Sequence, residues 1–153
     1  MKLIVKIPTI ILLFVFACTK PDDISDVPEI EFKQIQFFGD FNSLDSAWIH
    51  FDFKDGDGDL GEDDTTINCV LNYYEKDGQS VKLFPEFKRS YSLPDLTPNA
   101  SDKAIEGVIS IAIKPSPVYN IFTDSLYQWT IQVWDRAGNA SNISSTPFLS
   151  KKE

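Results

Sequence analysis

The chain has 153 residues, with 23 acidic against 14 basic side chains and a formal net charge of −9. An acidic surface repels phosphate backbones, so nucleic acid is set aside as a partner class. There are 12 Phe, 5 Tyr and 3 Trp but only two cysteines. Stability must therefore come from an aromatic core and not from a disulfide framework.

The chain opens with Lys2 and Lys6 ahead of an apolar run from Ile7 to Ala17, interrupted only by Pro8 and Thr9. Basic residues before a short apolar stretch are the pattern of a secretory signal. A membrane span needs about 20 apolar residues, more than this run supplies. At its end stands Val15-Phe16-Ala17-Cys18. A small residue before the cut suits a peptidase subsite, and the thiol after it can be made into a thioether to diacylglycerol. The motif resembles the lipobox of bacterial lipoproteins, with Phe16 bulkier than the usual residue; the alternative is an ordinary secretory signal with an incidental cysteine. Residues 1–17 are thus expected to be a cleaved signal peptide. Residues 18–27 follow as a lipidated cysteine and acidic tether, and residues 28–153 as one domain. The tether begins Thr19-Lys20-Pro21-Asp22-Asp23. This resembles the tails of Bacteroidota lipoproteins displayed on the outer face of the outer membrane. The implied setting is the cell outer membrane, lipid-anchored through Cys18 and open to surface exposure. Loss of the leader removes Lys2 and Lys6, leaving 136 residues at net charge −11.

Beyond the tether, short alternating segments recur with turn signals between them, the signature of a sandwich or barrel. Ile30 to Phe38 forms the first predicted strand. Trp48 to Phe53 forms the second, with Ile49, Phe51 and Phe53 on one face and Trp48, His50 and Asp52 on the other. Cys69 to Glu75 is the third, and Lys76-Asp77-Gly78-Gln79 reads as a hairpin turn into Ser80–Phe84. A Pro-rich stretch to Lys103 holds a short edge strand near Arg89–Ser92. Glu106 to Lys114 aligns Ile109, Ile111 and Ile113. Tyr127 to Trp134 sets Tyr127, Trp129, Ile131 and Val133 against the polar-facing Gln128, Thr130, Gln132 and Trp134. Ser144 to Leu149 closes the chain. No window sustains a helical period, so an all-β domain of about seven or eight antiparallel strands is expected.

The segment from Tyr127 through Asp135 to Gly138-Asn139 resembles the penultimate strand and following turn of fibronectin type III and bacterial Ig-like domains. The resemblance implies an Ig-like or fibronectin III-like β-sandwich of about seven strands, with Tyr127 as candidate for its tyrosine corner. The whole chain resembles small Bacteroidota lipoproteins carrying such a sandwich. Function does not follow, because these sandwiches host many unrelated roles.

The sharpest local signal is Asp55-Gly56-Asp57-Gly58-Asp59-Leu60-Gly61-Glu62-Asp63-Asp64. Carboxylates at alternate positions with glycines between let the chain curl and aim several oxygens inward. Calcium takes about six to eight oxygens, which suits such a loop. The loop resembles the start of an EF-hand through Asp55, Asp57 and Asp59. It then departs from it: Leu60 stands where the invariant glycine belongs, and Thr66 where the bidentate glutamate does. If the second strand pairs with the third, and the third with Tyr127–Trp134, the loops after the second strand and after Trp134 meet at one pole. That adds Asp135 and Asn139 to a calcium set of Asp55, Asp57 and Asp59. The first strand, antiparallel to the second, brings the tether to this same pole, where a cation would stiffen the junction. The competing reading is that the Asp-Gly pairs only make turns and their charges are solvated.

His50 is the lone histidine and reads as a surface strand residue. One histidine supports neither a Ser/His/Asp set nor a His/Cys zinc site. Cys69 shares the alternation of Leu71 and Tyr73 and reads as core. Trp48, Tyr74 and Trp134 fall on polar-facing positions, where aromatics could meet a sugar ring or an envelope protein. The leading expectation is a non-catalytic binding or accessory module in the envelope, with an envelope protein or glycan as partner. Two rivals stand beside it: a calcium-stabilised spacer without a ligand, and a carboxylate hydrolase.

Overall fold

The computed structural model describes residues 24–38, 46–62, 65–96, 103–113 and 126–150. Cys18, the leader and the first residues of the tether lie outside them. Nine strands are described, with a single 3₁₀ turn at Pro85–Phe87. They are β1 (Glu29–Phe38), β2 (Ser46–Asp55), β3 (Cys69–Asp77), β4 (Ser80–Leu83), β5 (Arg89–Tyr91), β6 (Ile105–Ile113), β7 (Leu126–Val133), β8 (Ser144–Ser145) and β9 (Leu149–Ser150).

One sheet has the order β1-β2-β6 and the other β4-β3-β7-β8, with β5 also on β3 and β9 also on β7. All these pairings are antiparallel. The expected sandwich is thus present. By order, β1, β2 and β6 take the places of strands A, B and E of an Ig-like fold, and β3, β7 and β8–β9 those of C, F and G. The period-2 patterns explain the faces. Ile49, Phe51 and Phe53 of β2 and Ile109, Ile111 and Ile113 of β6 point inward. They meet Cys69, Leu71 and Tyr73 of β3 and Tyr127, Trp129, Ile131 and Val133 of β7 in one core cluster. Tyr73 is its aromatic centre: its ring centroid lies 4.9 Å from Trp129, 5.5 Å from Phe87 and 6.1 Å from Tyr127.

Two expectations are corrected. The second strand does not pair with the third. β2 is flanked by β1 and β6, and the chain from Asp55 to Asn68 crosses to the other sheet. The final strand is also not continuous. Pro147 has no N–H to give to a ladder, and the segment divides into β8 and β9. Between them the Thr146 N–H bonds the Trp129 carbonyl at 2.9 Å, while the Thr146 hydroxyl oxygen accepts the Trp129 N–H at 3.0 Å. A second irregularity lies in β1, where the register with β2 shifts between Phe32 and Gln34. The extra residue, Lys33, reaches Asp52 at 2.7 Å.

Candidate functional site

The end of β2 delivers Asp55 to a pole where three connections meet. Its side chain closes the loop that follows: Oδ2 accepts the Leu60 N–H at 2.7 Å. Leu60 explains why no EF-hand glycine stands there. Its side chain is fully buried in the core and its backbone bridges Asp135. The loop between is fixed from the other sheet as well. Asp59 Oδ2 accepts the Ala137 N–H at 3.0 Å, and the Asp59 carbonyl accepts the Arg136 N–H at 3.3 Å. β3 begins beside the end of β7, Cys69 opposite Val133, so the crossing loop brings the end of β2 to the end of β7. The two loops thus converge without β2 and β3 sharing a sheet.

The five expected ligand residues separate into two groups. Carboxylate oxygens of Asp55, Asp57 and Asp59 lie within 4.8 Å of one another. Asp135 and Asn139 instead close their own turn. Asp135 Oδ1 accepts the Asn139 N–H at 2.7 Å and Oδ2 accepts the Asn139 side-chain amide at 2.8 Å. Asp135 still acts on the triad through its charge. Burial, with the neighbouring charges of Asp57, Asp59 and Asp135, raises the Asp55 carboxyl to about 6, against the Leu60 hydrogen bond that lowers it. Burial, then Asp135 and Asp57, also raises Asp59. Asp55 is 0% exposed, so solvated turn charges do not describe it. The Oδ1 atoms of Asp55, Asp57 and Asp59 are all shielded and meet no hydrogen-bond donor.

The segment that enters β1 reaches this pole too. The Gly56 N–H donates to the Ser25 carbonyl at 2.8 Å. The chains run so close that a Cβ on Gly56 would strike the carbonyl oxygen of Ile24. The connection after β5 touches the loop at Gly61, whose φ of +93° and contact with the Pro94 carbonyl both call for glycine. Beside it the Glu62 N–H bonds the Leu93 carbonyl at 3.0 Å. Arg136 joins these parts by bonding Asp95 at 2.8 Å and the Gly61 carbonyl at 3.3 Å.

Two asparagines that the sequence did not mark hold the surroundings in register. Asn68 is buried and clamps Leu93 at both backbone groups, at 2.7 and 3.2 Å. Asn142 does the same to Ile30 of β1, at 2.9 Å for each bond. The only signal for either was an amide next to a strand boundary, which is too common in loops to single them out.

The three expected aromatic residues are not brought together. Trp48 lies on the outer face of the β1-β2-β6 sheet, beside His50 at 6.4 Å between ring centroids. Tyr74 and Trp134 follow the outward parity of β3 and β7, on the opposite side of the sandwich. His50 Nδ1 and Ser110 Oγ share a hydrogen bond of 2.8 Å. Cys69 is core, and burial pushes its thiol up to about 12. Along β1 and β2 a groove of about 390 Å³ is lined by Glu29, Glu31, Asp52 and Lys54 among others. One of its carboxylates, Asp52, is held by Lys33.

No protein-family model matches the chain, and no curated protein matches it. Among solved structures it is similar to the sensor domain of the anti-sigma factor RsgI4 of Pseudobacteroides cellulosolvens. The identity is 17%, over 84% of this chain and 99% of that one, with a TM-score of 0.32. So distant a likeness leaves function to be read from the residues themselves.

Proposed function

We propose that the chain is an exported lipoprotein, acylated on Cys18, whose β-sandwich is a non-catalytic binding or accessory module of the cell envelope. The observation that carries this reading is the junction of leader and body. An apolar run ends in Val15-Phe16-Ala17-Cys18, and Ile24, six residues past that thiol, already touches the folded domain at Gly56. Six residues reach at most roughly 20 Å. A body so seated stands next to its bilayer with the acidic pole turned towards it. Acyl chains beyond the first make such anchoring stable.

Within that reading, the outer face of the β1-β2-β6 sheet is the surface offered to an envelope protein or glycan. It carries Trp48, 37% exposed, and Val108, 45% exposed. The separation of Trp48 from Tyr74 and Trp134 favours a second reading, a spacer with no specific ligand, over a single three-aromatic patch. Mass spectrometry of the protein recovered from membranes tests the anchor. The expected product starts at Cys18 with acyl mass on that residue, and Cys18→Ser leaves the membrane fraction. Recovery of an unmodified chain beginning at Met1 rejects the anchor. Loss of partner capture with Trp48→Ala, but not with Trp134→Ala, separates binding module from spacer.

A further inference from the structure

We propose that Asp55, Asp57 and Asp59 form a calcium site, and that the bound ion fixes the loop on which the segment entering β1 is seated. The inference does not depend on acylation.

The geometry is that of ligands held ready. Backbone N–H groups of Leu60 and Ala137 occupy one oxygen each of Asp55 and Asp59. Those bonds orient the carboxylates and leave the Oδ1 atoms free. The three Oδ1 atoms are shielded from water and without a donor. Carboxylate oxygens of the three residues gather within 4.8 Å of one another. A buried acceptor facing only other acceptors is the arrangement that proteins avoid unless a cation completes it. Asp55 makes the case strongest, being wholly enclosed. The basic residue of the adjoining loop does not neutralise the cluster, because Arg136 turns to Asp95 and the Gly61 carbonyl.

The donor set selects the ion. It is all oxygen, with neither imidazole nor thiolate, which favours a hard cation. Opposite ligands at about 2.3–2.6 Å from calcium stand about 5 Å apart, so one calcium ion spans this spread. Three carboxylates leave the remaining places in its shell to water or backbone carbonyls.

The loop that such an ion would stiffen is a meeting place. Gly56 holds the Ile24–Ser25 backbone, Glu62 holds Leu93, and Asp59 holds Arg136 and Ala137. Holding the three carboxylates together fixes the backbone of Gly56 between two of them. The Ser25 carbonyl bonds that same Gly56 N–H.

The test uses the full protein as it accumulates in the cell, purified in detergent and freed of metal. Calorimetric titration with calcium chloride is compared with magnesium chloride, and amide exchange is followed over residues 24–30 and 56–62. Wild type is expected to bind one calcium ion and to slow exchange in both segments. Asp57→Asn should weaken calcium binding about tenfold or more, since charge count sets affinity in such sites. It should also lose the protection, while its circular dichroism stays that of wild type. Asp57→Glu keeps the charge and should bind more tightly than Asp57→Asn, which separates a ligand from a folding defect. No calcium heat in the wild type, or equal affinity in Asp57→Asn, overturns the site. Magnesium binding as tightly as calcium overturns the choice of ion. Binding without slower exchange over residues 24–30 overturns the coupling to the entering segment and leaves the site standing.

Discussion

The space between the two sheets and the acidic pole both bury polar atoms, yet they treat them in opposite ways. Three polar intrusions inside the sandwich are each answered by the chain. The Tyr73 hydroxyl donates to Glu75 at 2.9 Å, Ser141 Oγ accepts the Val133 N–H at 3.1 Å, and Thr146 Oγ1 accepts the Trp129 N–H. The Ser141 and Thr146 hydroxyls take up β7 N–H groups that the broken last strand leaves without a ladder partner. At the pole, backbone donors answer one oxygen each of Asp55 and Asp59 and leave the other empty. A buried polar group with both partners supplied is architecture. The proposed calcium site rests on the second oxygens, for which the chain supplies no partner.

That contrast can be broken most forcefully in the core. Trp129 is 1% exposed and meets Tyr73 edge-on. Trp129→Ala should cost about 3–5 kcal/mol in urea unfolding. The loss should be the same with calcium and with chelator. A loss that depends on calcium would mean that the two regions are not separate.

The pole should show the next largest effect, through pH. Asp55 is raised from 3.8 to about 6. A carboxyl with a raised folded-state value favours the fold while protonated, and that contribution fades as pH climbs through about 6. Chelated protein should therefore gain on the order of 2–3 kcal/mol between pH 7 and pH 4. Saturating calcium should remove or reverse the trend, because the ion needs the ionised form. A chelated Asp55→Asn variant that keeps the same pH profile would assign it to other groups.

A smaller change tests how much of the entering segment depends on ordinary protein bonds. Asn142→Ala removes both bonds to Ile30. It should cost about 1–2 kcal/mol in unfolding, without altering calcium affinity. Weakened calcium binding in this variant would show that β1 and the loop act as one unit. The smallest effect is expected at Lys33→Ala. The Lys33–Asp52 pair is about half exposed, at 46% and 49% of the side chains. Its removal should change the unfolding midpoint by less than the equivalent of about 0.5 kcal/mol.

Much of the sandwich could be read before any coordinates, because burial on one face leaves a period-2 mark. Ile49, Phe51 and Phe53, and likewise Trp129, Ile131 and Val133, are inward as their alternation requires. Alternation says which way a side chain points but not which strand lies alongside. The placement of β2 next to β6 and away from β3 was accordingly not legible. The run Asp55-Gly56-Asp57-Gly58-Asp59 announced its loop plainly. That Asp135 would spend both oxygens on Asn139 did not show, since a carboxylate four residues before an amide can serve a turn or a ligand equally well. Asn68 and Asn142 were missed for a different reason. Their role lies in backbone groups far along the chain, 25 and 112 residues away.

The close approach at Gly56 has a mechanical side. With no Cβ between them, the incoming backbone and the crossing loop form a joint with almost no slack. A pull on the backbone at Ile24 would pass straight to Gly56. It would arrive first at the turn that joins the two sheets, so tension at that point reaches the seam of the sandwich before β1 begins to peel.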